Sequence, residues 1–279
     1  FTIFLLLNIS EVRMFNSLNL SMSLVSAGGF IPTNSLDKII NSNFQKLVFI
    51  FALLVSMLNF FLIFNILRKN TILRKHQEDL YIIVLSLILI LLIYFNEYSG
   101  LNITISILSS LSNSGLSLIN SDNNLHLYFI LVTAIGGSFI SNSSGIKFTR
   151  IYILLKTVSS EIIKLVSPNN VINKNIFSTE NKITEENIKI SFLIFISFFI
   201  SLFLLSSILI VDNIDFEQSF KLSILTITNT TTSSMYGTEG MDFANLLTTS
   251  KLSLIIFMII GKIELVSAFL IIKRIFFKE

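Results

Sequence analysis

The sequence predicts an all-α membrane protein built from repeated helix–loop–helix units, with one broken helix at 125–157. Of its 279 residues, 52% are hydrophobic and only 13% are charged, with a mean hydropathy of +0.79, whereas soluble chains carry about 25% charged residues. This apolar content excludes a disordered chain and a nucleic-acid-binding protein, and the lack of Cys excludes a disulfide-rich secreted scaffold. Long apolar runs and a recurring unit are the other two observations behind the prediction.

Four apolar runs predict transmembrane helices because each approaches or exceeds the ~20 residues that a helix needs to cross a bilayer. They lie at 44–67, 79–98, 188–211 and 251–276. A fifth run, 125–157, would be ~50 Å long as one straight helix. It carries GGSFISNSSG at 136–145, here called the glycine-rich loop, so we predict two half-helices joined by a break.

Shorter stretches rich in Ser, Thr and Asn separate these crossings and are too short and too polar to span. They lie at 14–27, 103–114 and 216–230, and we interpret them as re-entrant segments. The opening residues 1–9 are apolar but too short to cross a membrane. We interpret them as the end of a spanning helix that begins upstream, so that the chain is a fragment.

Basic and acidic residues fall on opposite sides of the predicted crossings. The basic side holds Arg68, Lys69, Arg74, Lys75, Lys147, Arg150, Lys156, Lys164, Lys174, Lys182, Lys189, Lys273, Arg274 and Lys278. The positive-inside rule makes that side cytoplasmic. The acidic side holds Glu97, Asp122, Asp212, Asp215, Glu217, Glu239 and Asp242. An acidic outer mouth would concentrate cations, and ordinary solvated loop charges are the alternative interpretation.

A unit of helix, re-entrant segment and helix recurs two and a half times. The predicted units are 1–67, truncated at its start, 68–164, which contains the glycine-rich loop, and 165–279, which begins with a cytoplasmic linker. Each re-entrant segment ends in a short run of small or hydroxylated residues. We name these runs loop A (26–30, SAGGF), loop B (112–116, SNSGL) and loop C (228–232, TNTTT).

The three loops have the composition of an ion filter. Backbone carbonyls can replace the water around a dehydrated cation where the chain is extended and turned inward, which glycine permits without Cβ strain. Non-helical backbone at membrane depth persists only where it is buried in protein or lines water. A Ser/Gly helix-packing motif is the alternative for any single loop.

Two motifs in the sequence are the most specific. The sequence GGSFISNSSGIKFTR at 136–150 resembles the intramembrane gating loop of the Trk/Ktr/HKT potassium transporter family at Gly136, Gly137, Ser141, Gly145, Ile146, Lys147 and Arg150. The last apolar run resembles the closing signature of that family at Lys251, Met258, Gly261, Lys262 and Glu264. Weaker matches lie at 21–35, 59–60, 78–81 and 165–168, so the resemblance runs along almost the whole chain.

The resemblance implies a potassium-channel-like transporter in which four helix–pore loop–helix units surround one pore, and this chain would supply the second from its pore loop onward, the third and the fourth. It implies a potassium-binding filter at Ala27, Gly28, Gly29, Asn113, Ser114, Gly115, Asn229, Thr230 and Thr231. It implies a gate at Gly136, Gly137, Gly145 and Lys262. The implied protein takes up potassium across the bacterial inner (plasma) membrane as a homodimer with a cytosolic nucleotide-binding regulatory subunit of Trk/Ktr type. It needs no cofactor and binds no nucleic acid.

Some residues depart from the family pattern. Thr231 stands where the family usually has its fourth filter glycine, and a Cβ at positive φ would be strained. Transport of sodium, weakly selective transport and a non-conducting subunit therefore remain open. Ile140, Ser143 and Ser144 replace usual glycines of the gating loop, which predicts a stiffer loop.

Lys262 lies eleven residues from both Lys251 and Lys273, which places it ~16 Å from either helix end. By the resemblance, this positive charge hinders cation flow below the filter, and pairing with a carboxylate on a neighbouring helix is the alternative. The two His residues, His76 and His126, lie near predicted helix ends. No catalytic triad or metal-ligand cluster is recognisable around them, so we predict no enzyme.

Overall fold

The computed structural model of the protein describes residues 1–33, 35–67, 77–94, 100–118, 123–167, 175–177, 182–238 and 243–263. Within these ranges the regular structure is helical, apart from one isolated bridge between Asn175 and Lys182. The α-helices are α1 (Thr2–Ile9), α2 (Met14–Ser26), α3 (Asn43–Met57), α4 (Phe60–Leu67), α5 (Gln77–Tyr94), α6 (Gly100–Leu111), α7 (Asn123–Ile135), α8 (Phe148–Val166), α9 (Glu185–Val211), α10 (Phe216–Ile227) and α11 (Thr248–Ile263). The predicted all-α fold is confirmed.

Two of the described helices, α5 and α9, are long and apolar enough to span a membrane by length and composition. Helix α9 buries small polar residues alongside apolar ones and exposes large apolar residues. Ser197 and Ser201 are buried, whereas Phe192 and Phe203 are more than half exposed, at 55% and 60%. This pattern suits a helix that faces lipid and packs against other helices partly through small residues.

The segments predicted to be re-entrant form short helices, and we call α2, α6 and α10 the re-entrant helices. They contain 13, 12 and 12 residues, too few to cross a membrane at 1.5 Å per residue. Helix α6 packs between α3, α5 and α7, and α10 packs against α9 and α11. Every residue in 105–111 is buried, so the end of α6 lies deep within the helix assembly.

The predicted break within 125–157 is confirmed, since α7 ends at Ile135 and α8 begins at Phe148. The prediction of one uninterrupted helix over 44–67 was wrong, because α3 ends at Met57 and α4 begins at Phe60. The glycine-rich loop fills this second break. The Met57 carbonyl accepts a hydrogen bond from the amide of Ser138 (3.0 Å), and the amide of Phe60 donates to the Ile140 carbonyl (3.0 Å).

Candidate functional site

Loops A, B and C all leave their re-entrant helices through the same turn. The second residue of each loop has the left-handed conformation: Ala27 (φ 52°), Asn113 (φ 60°) and Asn229 (φ 52°). The next amide then bonds back to the helix, joining Gly28 N to Ser23 O (2.8 Å), Ser114 N to Ser109 O (3.0 Å) and Thr230 N to Leu225 O (2.9 Å). This is the Schellman motif, which ends a helix and reverses the chain. The three loops are therefore equivalent in the backbone of this turn as well as in sequence position.

The loops meet at main-chain contact distance. A Cβ built on Gly29 would lie only 1.8 Å from the Ser114 carbonyl oxygen, and one built on Gly115 would lie 2.5 Å from the Thr231 carbonyl oxygen. Gly29 and Gly115 also have positive φ values of 68° and 73°. Both positions therefore require glycine for conformation and for space. Of the predicted filter residues, the structure brings Gly29, Ser114, Gly115, Thr230 and Thr231 into contact across the three loops.

Thr231 departs from the two glycines in a way that the sequence did not predict. Its φ is not positive, so the predicted backbone strain at this position is wrong. Its Oγ1 donates a hydrogen bond to the Ser114 carbonyl (2.7 Å) and lies 3.5 Å from the Gly29 carbonyl oxygen. Loop C thus presents a side-chain hydroxyl to the carbonyl oxygens of the other two loops.

Buried hydroxyl groups brace loops B and C from behind. Ser109 Oγ lies 3.0 Å from Ser114 Oγ, and Thr228 Oγ1 lies 2.9 Å from Thr230 Oγ1. The re-entrant helices end at these loops, so the partial negative charge of each helix C-terminus, about half an electron charge, lies beside them. The loops adjoin a cavity of about 870 Å³. Carbonyl and hydroxyl oxygens of the loops, and the carboxylate of Asp37, which also lines the cavity, could contact a cation.

The glycine-rich loop is folded onto itself around a lysine. The Gly137 amide donates to Ser143 Oγ (2.9 Å), and Lys147 Nζ donates to the carbonyls of Ser141 (3.0 Å) and Ser143. Gly136 and Gly145 have positive φ values of 71° and 84°. The ammonium group of Lys147 therefore satisfies inward-facing carbonyls of the loop.

Lys147 and Arg150, which were counted among the basic residues of the predicted cytoplasmic side, are only 5% and 6% exposed. The Arg150 guanidinium lies 5.2 Å from the centre of the Phe139 ring, and its Nη1 lies 3.5 Å from the Ile146 carbonyl oxygen. Hydrogen bonds to carbonyl oxygens and contact with an aromatic ring compensate for the lost hydration of a buried positive charge. A count of charges along the sequence cannot distinguish such residues from solvated ones.

Three side chains tie the glycine-rich loop to other elements. Glu78 Oε1, at the start of α5, accepts from the Phe139 amide (2.7 Å). Asn142 Nδ2 donates to the Val25 carbonyl (2.6 Å) near the end of α2. Lys262 Nζ donates to the carbonyls of Asn142 (2.8 Å) and Ser26 (3.2 Å). These hydrogen bonds attach the loop directly to the helix end that precedes loop A.

Sequence reasoning missed the roles of Glu78 and Asn142 at this site. A carboxylate in the first turn of an apolar helix was a usable signal for Glu78, whereas nothing distinguishes Asn142 from its polar neighbours. Lys262 was found, and its hydrogen bonds in the described structure go to carbonyl oxygens. The alternative of a Lys262–carboxylate pair has no support among the described residues.

The predicted acidic mouth is described only in part, because Glu97, Asp122, Glu239 and Asp242 lie outside the described residues. The other acidic residues, Asp212, Asp215 and Glu217, lie at the turn between α9 and α10. Asp212 accepts hydrogen bonds from Ser250 Oγ and Thr249 Oγ1 at the start of α11. These bonds lower the pKa of Asp212, with the one from Ser250 contributing most.

Several basic residues, Arg68, Lys69, Arg74, Lys75, Lys174, Lys273, Arg274 and Lys278, also lie outside the described residues, as does Glu264.

Known proteins share the fold of this chain. No family model matches the sequence. The chain is 24% identical over 288 aligned residues to a Methanocaldococcus jannaschii protein described as an uncharacterized cation transporter, with 98% of this chain and 57% of that protein covered. It matches the crystal structure of the potassium transporter TrkH from Vibrio parahaemolyticus with a TM-score of 0.86 and 18% identity, over 96% of this chain and 60% of TrkH. The chain thus spans less than two thirds of either protein, and it has the nearly all-helical membrane-transporter fold of TrkH.

Proposed function

We propose that this chain is part of a multi-pass membrane transporter for monovalent cations, with potassium as the principal substrate. The observation that carries the proposal is the meeting of loops A, B and C, because oxygens from three separate re-entrant helices lie within contact of one another there. The fold shared with TrkH and the similarity to a cation transporter support the same conclusion.

In the proposed mechanism a cation loses its water as it enters the space between the three loops. Main-chain oxygens of the nine predicted filter residues replace that water, as in other carbonyl-lined filters. The C-terminal ends of α2, α6 and α10 add negative potential at the same place. The Schellman turns and the buried hydroxyl pairs hold the loops in position, so few groups have to move when the ion arrives.

We propose that the glycine-rich loop gates this pathway together with Lys262. Asn142 and Lys262 attach the glycine-rich loop to the end of α2, next to the start of loop A. Movement of the loop would break these hydrogen bonds and open the passage, while the charge of Lys262 repels cations in the closed position.

The proposal is tested with the complete gene in cells that lack their own potassium uptake. Uptake of rubidium-86 and growth at limiting potassium should both appear on expression. Gly29→Ala should abolish both, because the added Cβ would overlap the Ser114 carbonyl. Gly100→Ala at the start of α6 is the matched control and should keep uptake, since the nearest atoms to its Cβ belong to the flexible Tyr94 side chain. No uptake from well-expressed unmodified protein would contradict transport and favour a non-conducting subunit.

Weakly selective or sodium transport is a second candidate, and the Thr231 hydroxyl is the observation that favours it. A hydroxyl that is hydrogen-bonded to the Ser114 carbonyl (2.7 Å) makes the ring of oxygens around the site unequal. Uptake of rubidium-86 measured in competition with sodium and potassium distinguishes the two candidates.

We also propose a homodimer in the bacterial inner membrane that binds a cytosolic nucleotide-binding regulatory subunit, with no enzymatic activity of its own. These proposals rest on the resemblance of the motifs. Crosslinking of the complete protein in membranes and co-purification from the native cell would test both partners.

A further inference from the structure

Asn113 connects loop B to the helix that precedes the glycine-rich loop. Its side chain is fully buried, and its Nδ2 donates to the carbonyl of Thr133 in α7 (2.9 Å). The same Nδ2 lies 3.4 Å from Thr230 Oγ1 in loop C. One amide group therefore joins loop B both to its neighbouring loop and to α7.

The Thr133 carbonyl depends on Asn113 because α7 ends two residues later. In a continuous helix this carbonyl would accept from the amide of residue 137, but the Gly137 amide donates to Ser143 Oγ (2.9 Å). The following carbonyl, that of Ala134, accepts from the Ile146 amide (3.1 Å). Asn113 thus replaces the intrahelical donor that is lost where α7 opens into the glycine-rich loop.

Asn113 also faces the first residue of that loop. A Cβ built on Gly136 would lie 3.6 Å from Asn113 Oδ1 and 2.3 Å from the Ser144 carbonyl oxygen. Asn113 Oδ1 is itself buried and receives no hydrogen bond from the residues that the structure describes. The side chain is therefore in contact with the hinge at which the glycine-rich loop leaves α7.

The equivalent residue of loop C makes the same contact without a hinge. Asn229 Nδ2 donates to the Met258 carbonyl of α11 (2.9 Å), and Gly261 follows Met258 by three residues, just as Gly136 follows Thr133. Helix α11 continues through Ile263, so the Met258 carbonyl keeps its position in the helical hydrogen-bond pattern. The asparagine completes a broken helix after loop B and adds to an intact one after loop C.

We propose that Asn113 is a positioning residue that couples loop B to the hinge of the glycine-rich loop. While loop B keeps its present conformation, Asn113 holds the end of α7 and with it the closed position of the loop. A change in loop B that withdraws this amide leaves a buried carbonyl without a donor, which is unfavourable, so loop B and the hinge change together. The inference rests on the proposed function, but the coupling itself has a readout that does not depend on transport.

The chain contains no Cys, which allows a single-cysteine reporter in a complete protein freed of any other cysteine. Ser144→Cys is suitable because this position is only 5% exposed. The introduced thiol should react with a small methanethiosulfonate only when the loop moves. Asn113→Gly tolerates the left-handed conformation and removes the side-chain donor. We expect about fivefold faster labelling, since one hydrogen bond to a buried group is typically worth ~1 kcal/mol.

Asn229→Gly is the matched control, because it removes the same donor where the helix continues, and it should leave the labelling rate of the reporter unchanged. A second reporter, Ser197→Cys in α9, should be unaffected by either change. If Asn113→Gly does not yield monodisperse protein, Asn113→Ala takes its place with the same expectation, since Ala27 has the left-handed conformation at the equivalent position of loop A. Parent-level labelling in the folded Asn113 variant, or equal acceleration by Asn229→Gly, would overturn the coupling. Faster labelling without any change in rubidium-86 uptake would support the coupling and count against the proposed gating role of the loop.

Discussion

The part of the chain around loop B and the part around loop C are built alike and end differently. Both pass from a long helix, α5 or α9, into a re-entrant helix and a Schellman turn, and both place an asparagine at the left-handed position. They differ at Gly115 and Thr231, and again where α7 breaks but α11 continues. The shared re-entrant helix and turn bring the two loops together. The differences determine whether glycine or threonine lies at the contact and whether a broken or a continuous helix follows it.

The comparison shows that backbone conformation decides where a side chain is tolerated. Gly115 has a φ of 73° and no space for a Cβ, so it must be glycine. Thr231 does not have a positive φ, and its hydroxyl donates a hydrogen bond to the Ser114 carbonyl. At this pair of equivalent positions, glycine stands where φ is positive and space is lacking, and threonine stands where φ is not positive.

Making loop B like loop C should have the largest effect. Gly115→Thr puts a branched side chain at positive φ, which costs ~1–3 kcal/mol in backbone strain, and against the Thr231 carbonyl, 2.5 Å from the new Cβ. We expect rubidium-86 uptake to fall to background. Gly100→Ala serves as the folding control, and size-exclusion chromatography checks assembly. Uptake at the parent level would show that loop B does not need its close approach to loop C.

The elements that could be predicted from the sequence are those set by local composition. Apolar runs and the GGSFISNSSG segment gave the long helices, the re-entrant helices and the break before Phe148, because each depends on neighbouring residues. The break at Leu58 and Asn59 depends on hydrogen bonds with Ser138 and Ile140, which lie far along the chain. The burial of Lys147 and the bond of Thr231 to Ser114 likewise depend on tertiary contacts, so no local pattern reports them.

The continuous helix after loop C carries Lys262, and removing its charge should have the second largest effect. Lys262→Ala releases the hydrogen bonds to Asn142 and Ser26 and removes a positive charge from the proposed pathway. We expect at least a ~tenfold rise in rubidium-86 flux, which corresponds to a barrier lower by only ~1.4 kcal/mol. Lys189→Ala, which removes a lysine side chain that is 79% exposed near the start of α9, should leave the flux unchanged. An unchanged flux in Lys262→Ala would count against the barrier role.

Making loop C like loop B should have a smaller effect. Thr231→Gly frees the Ser114 carbonyl from its hydroxyl partner, and a hydrogen bond of this kind is worth ~1 kcal/mol. We expect a change of about fivefold in the competition of potassium against sodium for rubidium-86 uptake, in favour of potassium. Thr231→Ser keeps the hydroxyl and should behave like the parent. Equal selectivity in Thr231→Gly and Thr231→Ser would mean that the hydroxyl does not influence the choice of ion.

The smallest effect concerns the hydrogen bonds from Thr249 and Ser250 to Asp212, which hold the start of α11 beside the end of α9. The described part of the loop B unit shows no matching contact. Hydrogen bonds from Ser250 and Thr249 lower the pKa of Asp212, so the folded protein binds this proton less readily than the unfolded chain does. The resulting stabilisation is present above the ordinary Asp pKa of about 4 and is lost as the pH falls through the lower folded value. Asp212→Asn should therefore lower the thermal unfolding temperature in detergent by a few degrees at neutral pH and flatten its decline below about pH 4. Asp215→Asn removes a carboxylate from the same turn, where no side-chain hydrogen bond caps α10, and should leave the acid-induced decline intact. If the unfolding temperatures of both variants fall with pH as that of the parent does, packing of α9 against α11, and not the carboxylate, holds the two helices together.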